Sequence, residues 1–212
     1  MGPSRTDLKV YELQPRGSNR GPGWNFVNYN TLQPDKSGIR AKDGWPDGLF
    51  SITRGPWTIP EFSEAPHFII DSKLGRPIRD IEYIDGFLFI SGKFKVLIEE
   101  VAPRTCDFRK CATEYKNGEP GPELWLCSTI KIFRDAINFE KSNVILSSIG
   151  SFMILRETYF NFREIEMIDA RLFRLAEYSG GFFCTHYFKN KCREKEIKNI
   201  SFREIGQIEL NQ

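Results

Sequence analysis

From Phe87 onward the hydrophobic pattern of this chain becomes regular. Phe87 to Ile90 is a short, wholly apolar run, which predicts a buried strand. Phe94, Leu97, Ile98 and Val101 then recur at the spacing of one helix face, with Ser91 placed to cap the start and Pro103 to stop the end. A strand is expected from about Thr105 to Tyr115, then the turn KNGEPGPE, then a long strand over Glu123 to Phe133, where Leu124, Leu126, Thr129, Ile130 and Ile132 favour extended backbone. Asp135 to Ser142 reads as a short helix, and Phe152 to Leu155 and Leu172 to Leu175 as strands. The intervening RETYFNFREIEMIDA fits helix and strand equally. At the end come a strand at Phe182 to Cys184, Thr185 in the cap position, a helix from Tyr187 to about Lys195, and a strand at Ile200 to Arg203.

Before residue 86 the text is different. Most of the prolines and tryptophans lie there, in stretches such as RGSNRGPGWN, KDGWPDG and TRGPWTIPEF, which read as loops around a few strands such as Leu8 to Leu13 and His67 to Asp71. The expected organisation is a loop-rich N-terminal lobe over residues 1–85 and an α+β domain over 86–212, with one continuous domain as the alternative. The expected fold class is α+β, with mixed and antiparallel sheets and a few helices.

The two strand, hydroxyl cap, helix, strand successions resemble each other. Laid over one another without a gap, they pair Phe89 with Phe183, Ser91 with Thr185, Phe94 with Phe188, Lys95 with Lys189, Glu100 with Glu194, Phe108 with Phe202 and Arg109 with Arg203. The expectation is two related strand–helix–strand units, each laying an apolar helix face on a sheet.

Composition narrows the classes. Aromatics make 14% of the 212 residues, 18 of them Phe, enough for a large core without metals or cross-links. A net charge of +2 gives no case for a general nucleic-acid binder. The N-terminus lacks a charged-then-apolar leader and no apolar run approaches a membrane span, so the expected location is the cytoplasm, with no membrane partner. The five scattered cysteines are then expected as reduced, mostly buried thiols.

Cys184, His186 and Cys192 are the one cluster that suggests chemistry. If the helix starts at His186, six residues at about 100° each leave His186 and Cys192 roughly 120° apart around it, so the two diverge and a zinc site is disfavoured. The unit alignment matches Cys184 with Ile90 and Cys192 with Ile98, which are core positions. A Cys-dependent hydrolase or transferase using Cys184 with His186 remains the rival reading. No phosphate-binding loop, dinucleotide fingerprint, metal-binding helix or nucleophile-elbow motif is present. The chain is therefore expected to have no catalytic or metal residues, no cofactor and no small-molecule substrate.

Trp45 and Asp47 in KDGWPDG and Trp57 in RGPWTIP sit in Pro/Gly frames that suit either an interface anchor or a Trp plugging the floor of its own loop, while Glu99 and Glu100 are a charged pair on the first helix, which as ordinary solvated surface would need no partner. These five are the candidate partner contacts.

The blocks DGFLFISGKFKVLIEEV, LWLCSTIKIFRDAINFEKS and ARLFRLAEYSGGFFCTHYFKNKCREKEIKNISF, in that order, resemble a bacterial immunity-protein family. It is number eleven in the polymorphic-toxin classification and was long catalogued as a domain of unknown function. The likeness spans Arg76 to Phe202 and is strongest in the last block, at Phe173 and Arg174, Phe182 and Phe183, Thr185, and Ile200 to Phe202. The resemblance implies an antitoxin of interbacterial competition. It would bind a cognate effector toxin, delivered by type VI or contact-dependent secretion, and occlude the active site of an enzyme with a cytosolic target, a nuclease foremost.

Overall fold

The computed structural model describes residues 8–29, 32, 59, 62–84, 87–134, 136–146, 152–154, 157–163, 171–176 and 178–211. Along the chain the elements are β1 (Lys9–Pro15), β2 (Trp24–Phe26), β3 (His67–Ile70), β4 (Ile81–Ile84), β5 (Phe87–Ser91), α1 (Gly92–Val101), β6 (Cys106–Lys110), β7 (Ala112–Tyr115), β8 (Leu124–Thr129), β9 (Ile132–Phe133), β10 (Val144–Leu146), β11 (Phe152–Ile154), β12 (Thr158–Arg163), β13 (Leu172–Leu175), β14 (Tyr178–Thr185), α2 (His186–Glu194) and β15 (Ile200–Asn211). The class is α+β, dominated by strands in mixed and antiparallel sheets. Among the described residues no helix is long and apolar enough to cross a membrane.

Two compact units arise from interleaved stretches of chain: Met1–Gln14, Leu97–Thr105 and Thr129–Gln212 in the first, Pro15–Val96 and Cys106–Ser128 in the second. The first holds a six-stranded sheet in the order β12, β15, β1, β14, β13, β9. β14 pairs antiparallel with β1, Tyr11 opposite Cys184 and Glu12 opposite Phe183. Phe182, Phe183, Cys184 and Thr185 are consecutive and all buried, the pattern of a strand covered on both faces. One side is filled by Val10, Phe133, Phe160, Phe173, Phe183, Ile205 and Ile208. On the side of Tyr11 lies α2, whose Phe188 and Cys192 are buried.

The second unit contains a three-stranded sheet, β2, β3, β7, and a four-stranded one, β4, β5, β8, β6. Its core joins Ile59, Phe68, Phe87, Phe89, Leu124 and Leu126. Phe68 stacks on Phe26 at 4.5 Å and meets Phe89 edge-on at 5.1 Å, geometries that aromatic quadrupoles favour.

Several expectations need correction. Asp135 to Ser142 is not a helix over its described residues. Ile137 instead bridges antiparallel to Phe160, with Asn138 N–H donating to Tyr159 O and Asn161 N–H to Ala136 O, at 2.9 and 2.8 Å. Burying Ala136 and Ile137 against the edge of β12 outweighs local helix propensity. The strand expected over Thr105 to Tyr115 breaks at Cys111, so that β6 and β7 join different sheets, and the one expected over Glu123 to Phe133 breaks likewise into β8 and β9. The undecided RETYFNFREIEMIDA supplies β12, and its residues 156 and 164–170 lie outside the described residues.

Candidate partner-binding surface

Helix α2 forms because its apolar positions lie one turn apart and its remaining positions are polar. Tyr187 and Lys191 lie beside the buried stripe of Phe188 and Cys192, on the opposite flank from Lys189 and Arg193. Lys191 and Arg193 occupy the last turn, where cations suit the negative end of the helix dipole.

On the Tyr187 flank the side chains form a connected cluster within the first unit. The Tyr187 ring is 41% exposed. Arg171 stacks its guanidinium 4.6 Å from that ring's centroid and donates through Nη1 to the Val101 carbonyl at 2.7 Å. The Lys191 ammonium lies 5.7 Å from the same ring and pairs with Glu194 at 2.5 Å. The Glu194 bond holds the Lys191 pKa above its ordinary value, with Tyr187 and Glu100 contributing. Lys195 pairs with Glu100 at 3.1 Å. The result is an exposed aromatic contacted by two cations and rimmed by exposed charge: residue types common in protein-interface anchors.

On the other flank, the Tyr11 hydroxyl lies 3.2 Å from His186 Nδ1, and Lys189 Nζ lies 3.6 Å from the Tyr11 ring centroid. Burial, followed by Glu204, raises the Tyr11 pKa. Lys9 pairs with Glu204 at 2.8 Å. This polar cluster ties α2 to β1 and β15.

The thiols sit in conditions that oppose nucleophilic use. Cys184 is fully buried, and burial followed by Cys192 raises its pKa well above the ordinary value. Burial likewise raises Cys192 and pushes Cys111 up to about 12. A nucleophilic cysteine needs the opposite shift. His186 bonds Tyr11 rather than Cys184. None of the five cysteines is in a disulfide, and among the described residues no three His, Cys, Asp or Glu side chains converge on a metal position.

Of the residues chosen from sequence, Trp45, Asp47 and Trp57 lie outside the described residues. Glu99 and Glu100 are exposed on α1; Glu100 pairs with Lys195, and its charge acts on Lys191 of the Tyr187 cluster. Tyr187 and Arg171 were not singled out. The available signal was an aromatic inside the strongly polar helix text HYFKNKCRE next to the core residue Phe188. Arg171 carries no local signal, because its partners Tyr187 and Val101 are distant in sequence.

No curated protein matches the sequence. The model of the Immunity protein family (Imm11) matches residues 9–207, which includes every element described above except the last few residues of β15. That match extends over nearly the whole chain and both units, and the protein therefore belongs to the Imm11 immunity protein family.

Proposed function

We propose that this protein is the cytoplasmic antidote to a secreted effector toxin with a cytosolic target, a nuclease in the first instance, and that it inhibits by occluding the toxin's active site. The observation that carries the reading is the family match over residues 9–207. Five cysteines outside any disulfide, of which Cys111, Cys184 and Cys192 have pKa values raised by burial, suit a reducing compartment. The Tyr187 cluster, together with the exposed Glu99 and Glu100, supplies a surface for a stoichiometric protein partner; Trp45, Asp47 and Trp57 belong to the same proposal as loop contacts.

The two strand–helix–strand successions are read here as related copies. In the first, Lys95 lies 4.7 Å from the ring of Trp125 on β8, the strand between β5 and β6. In the second, Lys189 lies over Tyr11 on β1, the strand between β14 and β15. The same lysine, one residue after a buried Phe, thus meets an aromatic on the interposed strand in both. This supports a shared plan, although α1 is divided between the units at Leu97 whereas α2 is not.

The test is coexpression with the toxic domain encoded beside this gene. Protection of the cells and copurification of the pair at nanomolar affinity are the expected results. Cys184→Ala with His186→Ala should retain protection; loss of protection in a folded double variant would favour the thiol enzyme instead. A neighbouring gene of ordinary metabolism and no toxin partner would end the proposal.

A further inference from the structure

Strand β15 runs from Ile200 to Asn211, but β12 covers only its second half. Their parallel ladder begins with Thr158 opposite Gly206 and ends with Arg163 opposite Asn211. Since β1 occupies the other side of β15, the outer edge from Ile200 to Ile205 has no strand beside it among the described residues. The step is built in: a Cβ on residue 206 would stand 1.7 Å from the Thr158 carbonyl oxygen, so only glycine admits the ladder's first rung. Glu157, the residue before β12, has φ 75, so extended backbone does not continue back along β15.

Two concavities of the first unit flank this edge, which no described strand covers. One, of about 540 Å³, lies at the step and is lined by Lys9, Glu157, Tyr159, Arg203, Glu204 and Gln207 among others. The second, of about 240 Å³, lies between Ile200–Phe202 and the Lys189 and Arg193 side of α2. Their charged lining is Lys9, Lys189, Arg193 and Arg203 against Glu157 and Glu204, a cationic excess. Arg203 is held by the nearly buried Glu12 carboxylate, which accepts from its Nε and Nη2. Lys189 and Arg193 stand one helical turn apart and have no ion-paired carboxylate among the described residues. Burial first, then the Arg193 charge, lowers the Lys189 pKa, with Glu204 acting in the opposite direction; an added anion would offset the Arg193 repulsion.

Resting on the reading of this protein as a toxin inhibitor, we propose that the Ile200–Ile205 edge of β15 accepts an extended segment of the toxin. That segment would continue the line of β12, with its carboxylate side chains meeting Lys189 and Arg193. An unpaired edge is a template for main-chain hydrogen bonds, and the concavities on either side take the alternate side chains of an added strand. The cationic excess selects an acidic segment.

Amide hydrogen exchange on the complex with the neighbouring gene's toxic domain tests this. Amides within residues 200–205 should be protected by about tenfold or more on binding, and Arg193→Glu should weaken the complex by about tenfold. Lys189→Gln provides a second variant if the charge reversal disturbs folding. A tight complex with unchanged exchange over 200–205 and unaffected variants would overturn the strand-acceptor proposal and leave the inhibitor reading standing. Failure to form any complex would remove both. Protection that appears in the protein alone as its concentration rises, with a dimer in sedimentation, would assign the edge to a second copy of this chain and overturn the proposal as well.

Discussion

Asp71 illustrates how a single residue acts through its partners. Its carboxylate accepts from Lys116 Nζ at 2.9 Å and from the Lys73 amide at 3.0 Å. The Lys116 bond first, then the Lys73 amide, holds its pKa below the ordinary value. A group whose folded pKa is depressed contributes stability that is complete above its unfolded pKa, near 3.8, and disappears as pH falls through the lower folded value. Lys116→Met should therefore reduce stability at neutral pH, and the gap from wild type should narrow progressively as pH falls below 3.8. Urea unfolding across that range measures it, and a gap independent of pH would exclude Asp71 as the cause. Lys116 lies just beyond β7 and Asp71 just beyond β3, strands paired in parallel with Ile70 opposite Tyr115. The sequence shows both residues but not the register that joins them.

At the scale of the element, the two helices begin in the same way by sequence and differently by structure. Ser91 Oγ accepts the Phe94 amide at 3.2 Å and donates to Asp80 Oδ1 at 2.7 Å. Thr185 has the extended backbone of a cap, φ −79 and ψ 168, yet makes no side-chain cap bond, contrary to the expectation. Its hydroxyl is buried without a partner among the described residues. Ser91→Ala should cost about 1 kcal/mol, whereas Thr185→Val, which removes an unsatisfied polar atom at nearly constant volume, should change stability by less than about 0.5 kcal/mol or increase it. Thermal unfolding of the two variants decides; an equal loss in both would mean that Thr185 caps its helix in solution. The hydrophobic spacing predicted both helices because helix periodicity is local. Strand limits were less legible: the breaks at Cys111 and after Thr129 occur where the chain leaves one sheet for another, a choice made by the packing partners.

At the scale of the whole molecule, the inhibitor reading predicts that an exposed aromatic matters more to the partner than to the fold. Tyr187→Ala should leave the melting temperature nearly unchanged and weaken toxin binding by about tenfold or more; unchanged affinity by calorimetry would move the interface elsewhere. The sequence by itself determined the family, the α+β class, the two helices and the burial of four of the five cysteines, Cys106 being only partly buried. These depend on residue order and on local periodicity, which survive without knowledge of distant contacts. Only the tertiary structure decided that Arg171 reaches both Tyr187 and the Val101 carbonyl at the end of α1, that His186 bonds Tyr11, that the chain interleaves into two units, and that β12 stops short along β15. Each of these joins residues far apart in the chain, and such pairings are set by which apolar faces close on one another rather than by any local pattern.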